Sequence, residues 1–481
     1  MAQVSTAAAA AADGQSSQKR RIFLNAFDMF TVGHQSFGQW RRAGDRSADK
    51  RRDLSYWTDL ARLLERGDFN ALFLADTYGV YDTYKGSSEP AVRTGAQYPM
   101  GDPVIPVSAM AAATKNLGFA ITTSTSYEAP YIVAKRFSTL DHLTGGRFGW
   151  NIVTSWKASA AKAVGLPLVE HDERYQIADE YLRVLYKLWE GSWADDALKE
   201  DREAGIYADF NRIKPVHHHG KRFTVDGPHI TDPSPQRTPF LFQAGTSAAG
   251  VAFGATHAEA IFVAGPSPHL LAGRVKKIRE AVAEAGRDPR SVKIFATMTP
   301  VLGHTEEEAK EKYQEALRYA NHEAGLAFFS GGTGIDLSKF DLDQEIKPDD
   351  VTVDARVHSA LETLAYRGDD VPKWTPRNIG RLISIGANGP VPIGSPSQVA
   401  DVLEDWVKIA DLDGFNIAYV VVPGSFEDVV ELLVPELRKR GIYSPPGESG
   451  TMRERVYGQG QKHLRDDHVG ASYRYDVYDG Q

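Results

Sequence analysis

Short runs of β-branched and aromatic residues recur along the chain and alternate with longer segments of mixed polarity. In the longer segments, such as 53–67, 130–146 and 270–286, apolar residues return every three or four positions, which predicts helices with one buried face. Strand and helix alternating eight times is typical of a TIM-type (β/α)8 barrel, an α/β fold. The predicted strands are residues 21–27, 71–76, 118–125, 147–155, 240–245, 260–265, 293–303 and 414–423. A doubly wound open sheet is the alternative, although no G-x-G-x-x-G motif joins an early strand to a helix.

The connections between the predicted strands differ greatly in length. Long segments follow the second, fourth and seventh strands, at 77–106, 156–172 and 303–390. In a barrel these segments leave the carboxyl-terminal rim, where active sites lie. We therefore expect a barrel over 21–445, with a lid or subdomain inserted at about 304–390, and a C-terminal extension over 446–481. The low-complexity start, residues 1–20, is predicted to be a disordered tail.

The composition excludes several classes of protein. Among 481 residues, 55 lysines and arginines face 63 aspartates and glutamates, so the net charge is −8, which argues against general nucleic-acid binding. The absence of cysteine excludes disulfides and thiolate chemistry. No apolar run is long enough to cross a bilayer, and no secretory signal is evident, so we expect a cytoplasmic protein.

Polar residues stand at the ends of several predicted strands. Asp76 ends the second strand, Thr122 lies late in the third, and Asn151 lies near the end of the fourth. After the fifth strand, QAGTSAAG (243–250) runs into a predicted helix start, where free amides and the hydroxyls of Thr246 and Ser247 can hold a phosphate. An ordinary helix cap explains the last motif equally well.

The helix predicted after Val169 begins with an unusual cluster of polar residues, His171 to Tyr175. Asp172 and Glu173 suit the positive end of a helix dipole, so a simple cap is one interpretation. That interpretation leaves His171 and Tyr175 unexplained, since both lie at three- and four-residue steps from the apolar stripe that begins at Ala178.

The remaining motifs indicate a flat ligand and no metal. His217 to His219 are adjacent, so in a strand they would point to alternate faces, and no carboxylate follows at ligand spacing; a turn is predicted there. No nucleophile elbow, H-E-x-x-H or Walker motif is present. Aromatic residues near strand ends, beside the phosphate motif, suit a flat ligand with a phosphate tail, such as FMN. They are Phe27, Phe30, Trp40, Tyr78, Tyr81, Tyr84, Trp150 and Trp156.

Several long segments also occur in an order that is typical of one family. They include NAFDMFTVGHQSFGQWR, FLADTYGVYDTY, STLDHLTGGRFGWNIVTS, EHDERYQIADEYLRVLYKLWEGSW, QAGTS and DGFNIAYVVVPGSFEDVVELLVPELRKRGIY. From about Arg21 to its end, the chain resembles the luciferase-like flavin monooxygenases. Within them it is similar to the branch of nitrilotriacetate, dibenzothiophene-sulfone, long-chain alkane and dimethyl-sulfide monooxygenases, with the last two nearest.

The resemblance implies a bacterial-luciferase-like barrel with rim insertions and FMN as the cofactor. It implies a two-component enzyme in which a separate NAD(P)H:flavin reductase supplies FMNH2. It further implies that FMNH2 and O2 form a C4a-(hydro)peroxyflavin that oxygenates a small organic molecule. The protein is expected to form a homodimer or homotetramer.

Site residues follow from the resemblance position by position. Asp76 and Thr122 match flavin-contacting residues, His171 and Tyr175 match a His-x-x-x-Tyr motif on the ribityl-phosphate side, and Ser247 with Thr246 matches a phosphate contact. The resemblance makes Tyr81 the candidate for positioning oxygen or substrate. By their location, His34, Asn151 and Ser155 are candidates for hydrogen bonds to the flavin ring or the peroxide. No metal ligand is expected.

The side chains of the substrate pocket differ from those of the alkane enzyme. Positions occupied by pocket side chains in the alkane enzyme correspond here to Thr31, Trp156 and the region of Phe328, so an organosulfur compound is the first expectation. Alkane or aminopolycarboxylate oxygenation is the alternative. Three rival functions remain: deazaflavin-dependent hydride transfer, non-catalytic flavin binding, and phosphosugar processing, for which the paired acids or lysine usual at strand ends are missing.

Overall fold

A closed ring of eight parallel strands forms the centre of the molecule, in a computed structural model that describes residues 20–347, 373–387 and 389–478. The order around the ring is β1-β8-β7-β6-β5-β4-β3-β2, which confirms the predicted (β/α)8 barrel. The strands are β1 (Phe23–Met29), β2 (Ala71–Ala75), β3 (Gly118–Ser124), β4 (Phe148–Val153), β5 (Phe240–Gln243), β6 (Ala260–Val263), β7 (Lys293–Met298) and β8 (Gly414–Ile417).

Helices surround the barrel and extend its rim. Those of the first half are α1 (Leu54–Arg66), α2 (Glu89–Thr94), α3 (Val107–Ala112), α4 (Pro130–Thr144), α5 (Ala158–Ala163), α6 (His171–Tyr186) and α7 (Ala248–His257). Those of the second half are α8 (Pro268–Glu284), α9 (Glu306–Tyr319), α10 (His322–Thr333), α11 (Pro376–Ile383), α12 (Pro396–Ala410), α13 (Gly424–Asp428), α14 (Val434–Lys439) and α15 (Met452–Tyr457). In the described part of the chain, no helix has the length and apolar character needed to cross a membrane.

The seventh and eighth predicted strands extend well beyond the observed ones. Strand β7 ends at Met298 instead of residue 303, because the chain then leaves the ring and Val301–Leu302 pairs with Ile393–Gly394. Strand β8 ends at Ile417 instead of residue 423. There the amides of Val420 and Val421 bond to the Ser425 hydroxyl and no longer to a neighbouring strand.

Parts of the predicted domain plan lie outside the described residues. These are almost all of the predicted tail, together with residues 348–372 and 388 of the predicted insertion. The described parts of that insertion are helical: α9 and α10 precede the gap and α11 follows it. Helices α10 and α11 pack on each other beside a separate apolar cluster that contains Phe37, Tyr81 and Phe329.

The interior of the barrel is filled by aromatic rings. Side chains alternate along each strand, so Phe73 points inward while Leu72 and Leu74 face the surrounding helices. Phe242 and Phe262 stack in the interior with ring centroids 5.5 Å apart. This layer closes the barrel beneath the rim, so a ligand can enter only from above it.

The C-terminal extension closes the opposite end of the barrel. Met452 lies in the interior cluster, and a Cβ on Gly149 would stand 2.8 Å from its sulfur. The next residue, Arg453, is fully buried and donates to both Glu259 carboxylate oxygens, at 2.7 and 2.9 Å. It also donates to the carbonyl of Thr238 at 2.9 Å, so the extension is tied to the segments that lead into β5 and β6.

This buried ion pair yields a stability prediction. Replacing Arg453 by Met leaves the Glu259 carboxylate buried without its partner, which typically costs about 3–5 kcal/mol. We expect Arg453→Met to lower the midpoint of urea unfolding strongly, whereas Lys277→Met, on the exposed face of α8, should leave it nearly unchanged. Equal midpoints for the two variants would show that the extension does not hold the barrel closed.

Candidate active site

A cavity of about 350 Å³ opens among the carboxyl-terminal ends of β2, β3, β4 and β5. Parallel strands place these ends on one rim, which explains why residues far apart in the sequence meet there. The cavity is lined by six of the predicted site residues: His34, Asp76, Tyr81, Thr122, Ser155 and Tyr175. The other four, Asn151, His171, Thr246 and Ser247, lie beside or behind its wall.

One end of the cavity is a polar cradle built around the Tyr175 hydroxyl. Burial raises the pKa of Tyr175, and the polar side chains of Ser247, Thr154 and Gln243 around that hydroxyl oppose the rise only in part. Ser247 also caps α7 by accepting the amide of Gly250 at 3.1 Å. A Cβ on Gly245 would collide with the Tyr175 hydroxyl, so glycine is required for this close approach. Thr246 lies between these groups and is half-buried.

The polar start of α6 supports this cradle from behind. Glu170 is the helix cap, and its carboxylate accepts the amides of Asp172 and Glu173 at 2.9 and 3.1 Å. His171 bonds to Asp172 at 2.6 Å and packs its ring edge-on to Tyr175, 5.4 Å between centroids. His171 therefore positions Tyr175 and does not itself line the cavity.

Arg174, in the same first turn, has a different role from the exposed ion pair that is usual there. Its buried guanidinium donates to the carbonyl of Ser155. Ser155 has a positive φ of 45°, an uncommon conformation for a non-glycine residue. Arg174 thus holds the strained turn after β4, and Ser155 in turn bonds Ser124 at 2.7 Å on the cavity wall.

The middle of the cavity combines a carboxyl group with unpaired buried acceptors. Burial raises the pKa of Asp76 to about 7, and the nearby Lys157 opposes that rise only in part. Asn151 donates to the Thr122 hydroxyl at 2.9 Å. Within the described residues, Asn151 Oδ1 and Gln243 Oε1 are buried and lack hydrogen-bond partners. Buried acceptors of this kind are costly unless a ligand or water donates to them.

The outer part of the cavity is drier and more aromatic. The Tyr81 hydroxyl donates to Gln97 Oε1 at 2.8 Å, and Gln97 Nε2 donates to the His34 carbonyl at 2.6 Å. Phe328 of α10 packs edge-on to Tyr81 with centroids 5.4 Å apart. Burial lowers the pKa of His34 to about 3, so its imidazole is neutral. Tyr81 therefore presents its ring to the cavity, while its hydroxyl is engaged.

Several expectations for this region are wrong in detail. Among the eight aromatic residues predicted at the mouth, Phe27, Tyr78, Tyr81 and Trp156 line the cavity, but Phe30, Trp40, Tyr84 and Trp150 do not. Trp150 points outward from β4 and packs against Phe137 of α4, because successive strand residues face opposite sides.

The three adjacent histidines lie in a strand, Val216–His219, and not in the predicted turn. His217 and His219 both contact the Asp226 carboxylate, at 3.0 and 3.1 Å, which comes from the neighbouring strand and therefore escaped the spacing argument. His218 faces the other way and meets Glu180 at 3.3 Å. In the part of the chain that the structure describes, no group of three such side chains is arranged to hold a metal ion.

Sequence reasoning missed three polar residues of the cavity. Lys157, Gln97 and Gln243 all line it, and Lys157 is buried although it begins a surface connection. Gln243 stands at the end of β5, so its strand-end position was a usable signal. Lys157 and Gln97 lie in long connections, where the sequence contains no sign of burial.

The barrel, the cradle and the dry chamber above it have a shape and polarity that suit a flat ligand with an anionic tail. The luciferase-like monooxygenase family matches residues 32–411 of the chain. The protein belongs to this family of oxygenating, flavin-dependent enzymes, as the sequence motifs predict.

Individual relatives match almost the whole chain. Dimethyl-sulfide monooxygenase of Hyphomicrobium sulfonivorans is 46% identical over 464 residues, which cover 96% of this chain and 95% of the relative. Long-chain alkane monooxygenase of Geobacillus thermodenitrificans (strain NG80-2) is 45% identical over 456 residues, with coverage of 95% and 98%. These are the two members that the sequence motifs place nearest.

A solved structure shows the same fold with a flavin. The crystal structure of a riboflavin lyase with modified FMN and the substrate riboflavin has a TM-score of 0.86 and 35% identity to this chain. The match covers 95% of this chain and 100% of that chain.

The raised pKa of Asp76 leads to a pH-dependent stability prediction for the flavin-free protein. An unfolded aspartate loses its proton near pH 4, whereas folded Asp76 keeps it to about pH 7, so stability falls as pH rises between these values. Asp76→Asn removes this penalty. At pH 8 the variant should be about 2–4 kcal/mol more stable than the wild type, since each tenfold change in a dissociation constant is worth about 1.4 kcal/mol.

Urea unfolding at pH 5 and pH 8 measures this difference. The gain should shrink at pH 5, where the wild-type carboxyl is protonated, and Asp82→Asn, on the exposed part of the same connection, should show no such gain. A pH-independent effect of Asp76→Asn would contradict the assignment.

Proposed function

We propose that this protein is the oxygenase of a two-component system that uses FMNH2 and O2 to oxygenate a small organosulfur compound, such as dimethyl sulfide. A separate NAD(P)H:flavin reductase supplies the reduced flavin. The observation that carries the proposal is the single cavity in which a hydroxyl-lined cradle adjoins a dry aromatic chamber. Similarity to the dimethyl-sulfide enzyme supports the choice of substrate.

The residues present fit FMN at both ends of the cavity. Tyr175, Ser247 and Thr246, with the free amides at the start of α7, suit the ribityl-phosphate, and glycine at 245 keeps that cradle open. The unpaired acceptors Asn151 Oδ1 and Gln243 Oε1 suit donors such as the flavin imide N–H and the ribityl hydroxyls. Asp76 and Thr122 line the wall between these regions.

Bound reduced flavin supplies two electrons to O2, so that one oxygen atom enters the substrate and the other leaves as water. The contribution of the protein is to orient the ring and keep solvent away from it. Phe27, Met29, Tyr81 and Phe328 form the apolar side of the chamber and serve the second purpose. Neutral His34 holds no charge that would draw water into this region.

The decisive experiment supplies FMN, NADH, a generic flavin reductase and ¹⁸O2, then analyses products from dimethyl sulfide, alkanes and aminopolycarboxylates. We expect one ¹⁸O atom in the product of the sulfide and none without the reductase. Labelled products from the alkanes or aminopolycarboxylates alone would reassign the substrate. FMN binding without any product would instead favour a non-catalytic flavin protein.

The cradle makes a second, independent prediction. Tyr175→Phe removes the hydroxyl around which Ser247, Thr154 and Gln243 are grouped, and we expect FMNH2 binding to weaken about tenfold, which corresponds to about 1.4 kcal/mol. His171→Ala should weaken binding by a smaller factor, because His171 only packs against Tyr175. Both should leave product identity unchanged.

Anaerobic titration with FMNH2 measures these affinities. Tyr131→Phe is the matched control, since it deletes a tyrosine hydroxyl that bonds the carbonyl of Pro228 at 3.1 Å, away from the cavity. If Tyr175→Phe bound FMNH2 as tightly as this control, the cradle would not be the phosphate site.

A further inference from the structure

Among the described residues that line the cavity, Lys157 is the one with a basic side chain on a flexible stem. It directly follows Trp156 after β4, and only 6% of its surface is exposed. Its ammonium donates to the carbonyl of Gly79 at 3.0 Å and lies 3.6 Å from the centroid of the Tyr81 ring. The Trp156 ring is 5.5 Å away.

The contacts of this ammonium are incomplete. An ammonium has three N–H donors, and among the described residues only the Gly79 carbonyl accepts one of them. Asp82 and Asp76 act on it through space without a hydrogen bond. The Tyr81 ring offsets part of the desolvation, but an under-bonded buried cation remains costly, which makes a ligand-binding role the best explanation.

The connection after β2 is held in place without Lys157. Ser159, two residues later, already donates to the neighbouring Val80 carbonyl at 2.8 Å and holds the same stretch of backbone. A neutral hydroxyl performs that task without burying a charge. The need to hold this connection therefore does not explain why a lysine is buried at position 157.

The Tyr81 ring, which lies against the Lys157 ammonium, is itself held in place. Tyr81 cannot swing away, because its hydroxyl bonds Gln97, Phe328 packs edge-on to it, and a Cβ on Gly331 would collide with its ring. Lys157, whose ammonium retains unused donors, lines the same chamber that Phe328 and Met29 make apolar. Such a chamber suits a small molecule with apolar groups around one hydrogen-bond acceptor.

We propose that Lys157 is a specificity-determining residue that binds an acceptor oxygen of the substrate, so that this enzyme prefers small molecules whose apolar part carries such an oxygen. Sulfoxides and sulfones have this chemistry, whereas sulfides and alkanes lack it. The inference rests on the proposed function and deepens it: dimethyl sulfide remains a substrate, and organosulfur compounds that carry an acceptor oxygen are the ones that the site binds more tightly.

The charge of Lys157 is also sensitive to pH. Burial lowers the pKa of its ammonium to about 7, while Asp82 and Asp76 favour the charged form. The other titratable groups at the cavity are Asp76, Tyr78 and His34, together with Tyr81 and Tyr175, whose pKa values burial raises. Binding of an acceptor should therefore weaken as pH rises through about 7, and Lys157→Arg should remove the part of this dependence that belongs to Lys157.

The test uses enzyme loaded with oxidised FMN and follows the visible difference spectrum during titration with dimethyl sulfone, dimethyl sulfoxide or dimethyl sulfide. We expect the wild type to bind the sulfone at least about tenfold more tightly than the sulfide. Lys157→Met should weaken sulfone binding by about tenfold or more and change sulfide binding little, because hydrogen bonds to a charged donor are the stronger kind. Lys157→Arg should retain the preference.

Lys162→Met is the matched control, because Lys162 is an exposed lysine on α5, five residues further along the chain. It should behave as the wild type, and the dissociation constant of FMN should be equal in all four proteins. Unchanged sulfone binding in Lys157→Met, or equal weakening of sulfone and sulfide, would overturn the inference, as would a loss of FMN affinity in that variant. If the wild type bound no FMN, the proposed function would fail as well, so the two failures are distinguishable.

Discussion

Closure of the strand ring between β1 and β8 is the constraint on which the site depends. Phe23 pairs with Gly414 across this seam, and a side chain at 414 would collide with the Phe23 carbonyl. The adjacent Asp413 is fixed by the Arg279 guanidinium at 2.7 Å and accepts the Phe23 amide on its carbonyl at 3.0 Å. The hydrogen bonds of a closed parallel ring keep all strands in register. The carboxyl end of every strand therefore lies on the same rim.

A single physical cause, removal of water, then sets the electrostatics of that rim. It raises the pKa of Asp76 and lowers those of Lys157 and His34, because burial disfavours whichever form is charged. The outcomes differ with the partners that each side chain retains. Asp76 and Lys157 keep some compensation and titrate near neutral pH, whereas His34 has little and stays neutral. The cavity therefore combines side chains that can carry charge with apolar walls that exclude water.

Residues on strands were predictable from the sequence, and residues in long connections were not. Once eight strands are recognised, Asp76 and Thr122 must lie on the rim, because the carboxyl ends of all strands in a parallel barrel lie on the same side. Tyr175 followed from its phase relative to the buried stripe of α6. Lys157 gave no such signal, since a lysine after a strand is ordinarily solvated, and its burial comes from Tyr81, which lies on another connection. Trp150 was wrongly predicted to line the cavity. Whether a strand residue points into the barrel or toward the helices alternates from one position to the next, and the sequence of β4 did not show which positions point inward.

This division between strands and connections explains how one scaffold serves several substrates. The strands and the start of α6 supply Asp76, Thr122 and Tyr175, whose positions are set by the ring. The connections supply Lys157 and Phe328, which line the outer part of the same cavity. Connections tolerate substitution without disturbing the hydrogen bonds of the ring, so the outer part can change while the strand ends keep their positions. A buried lysine can arise there because Tyr81 already offers an aromatic face to support it.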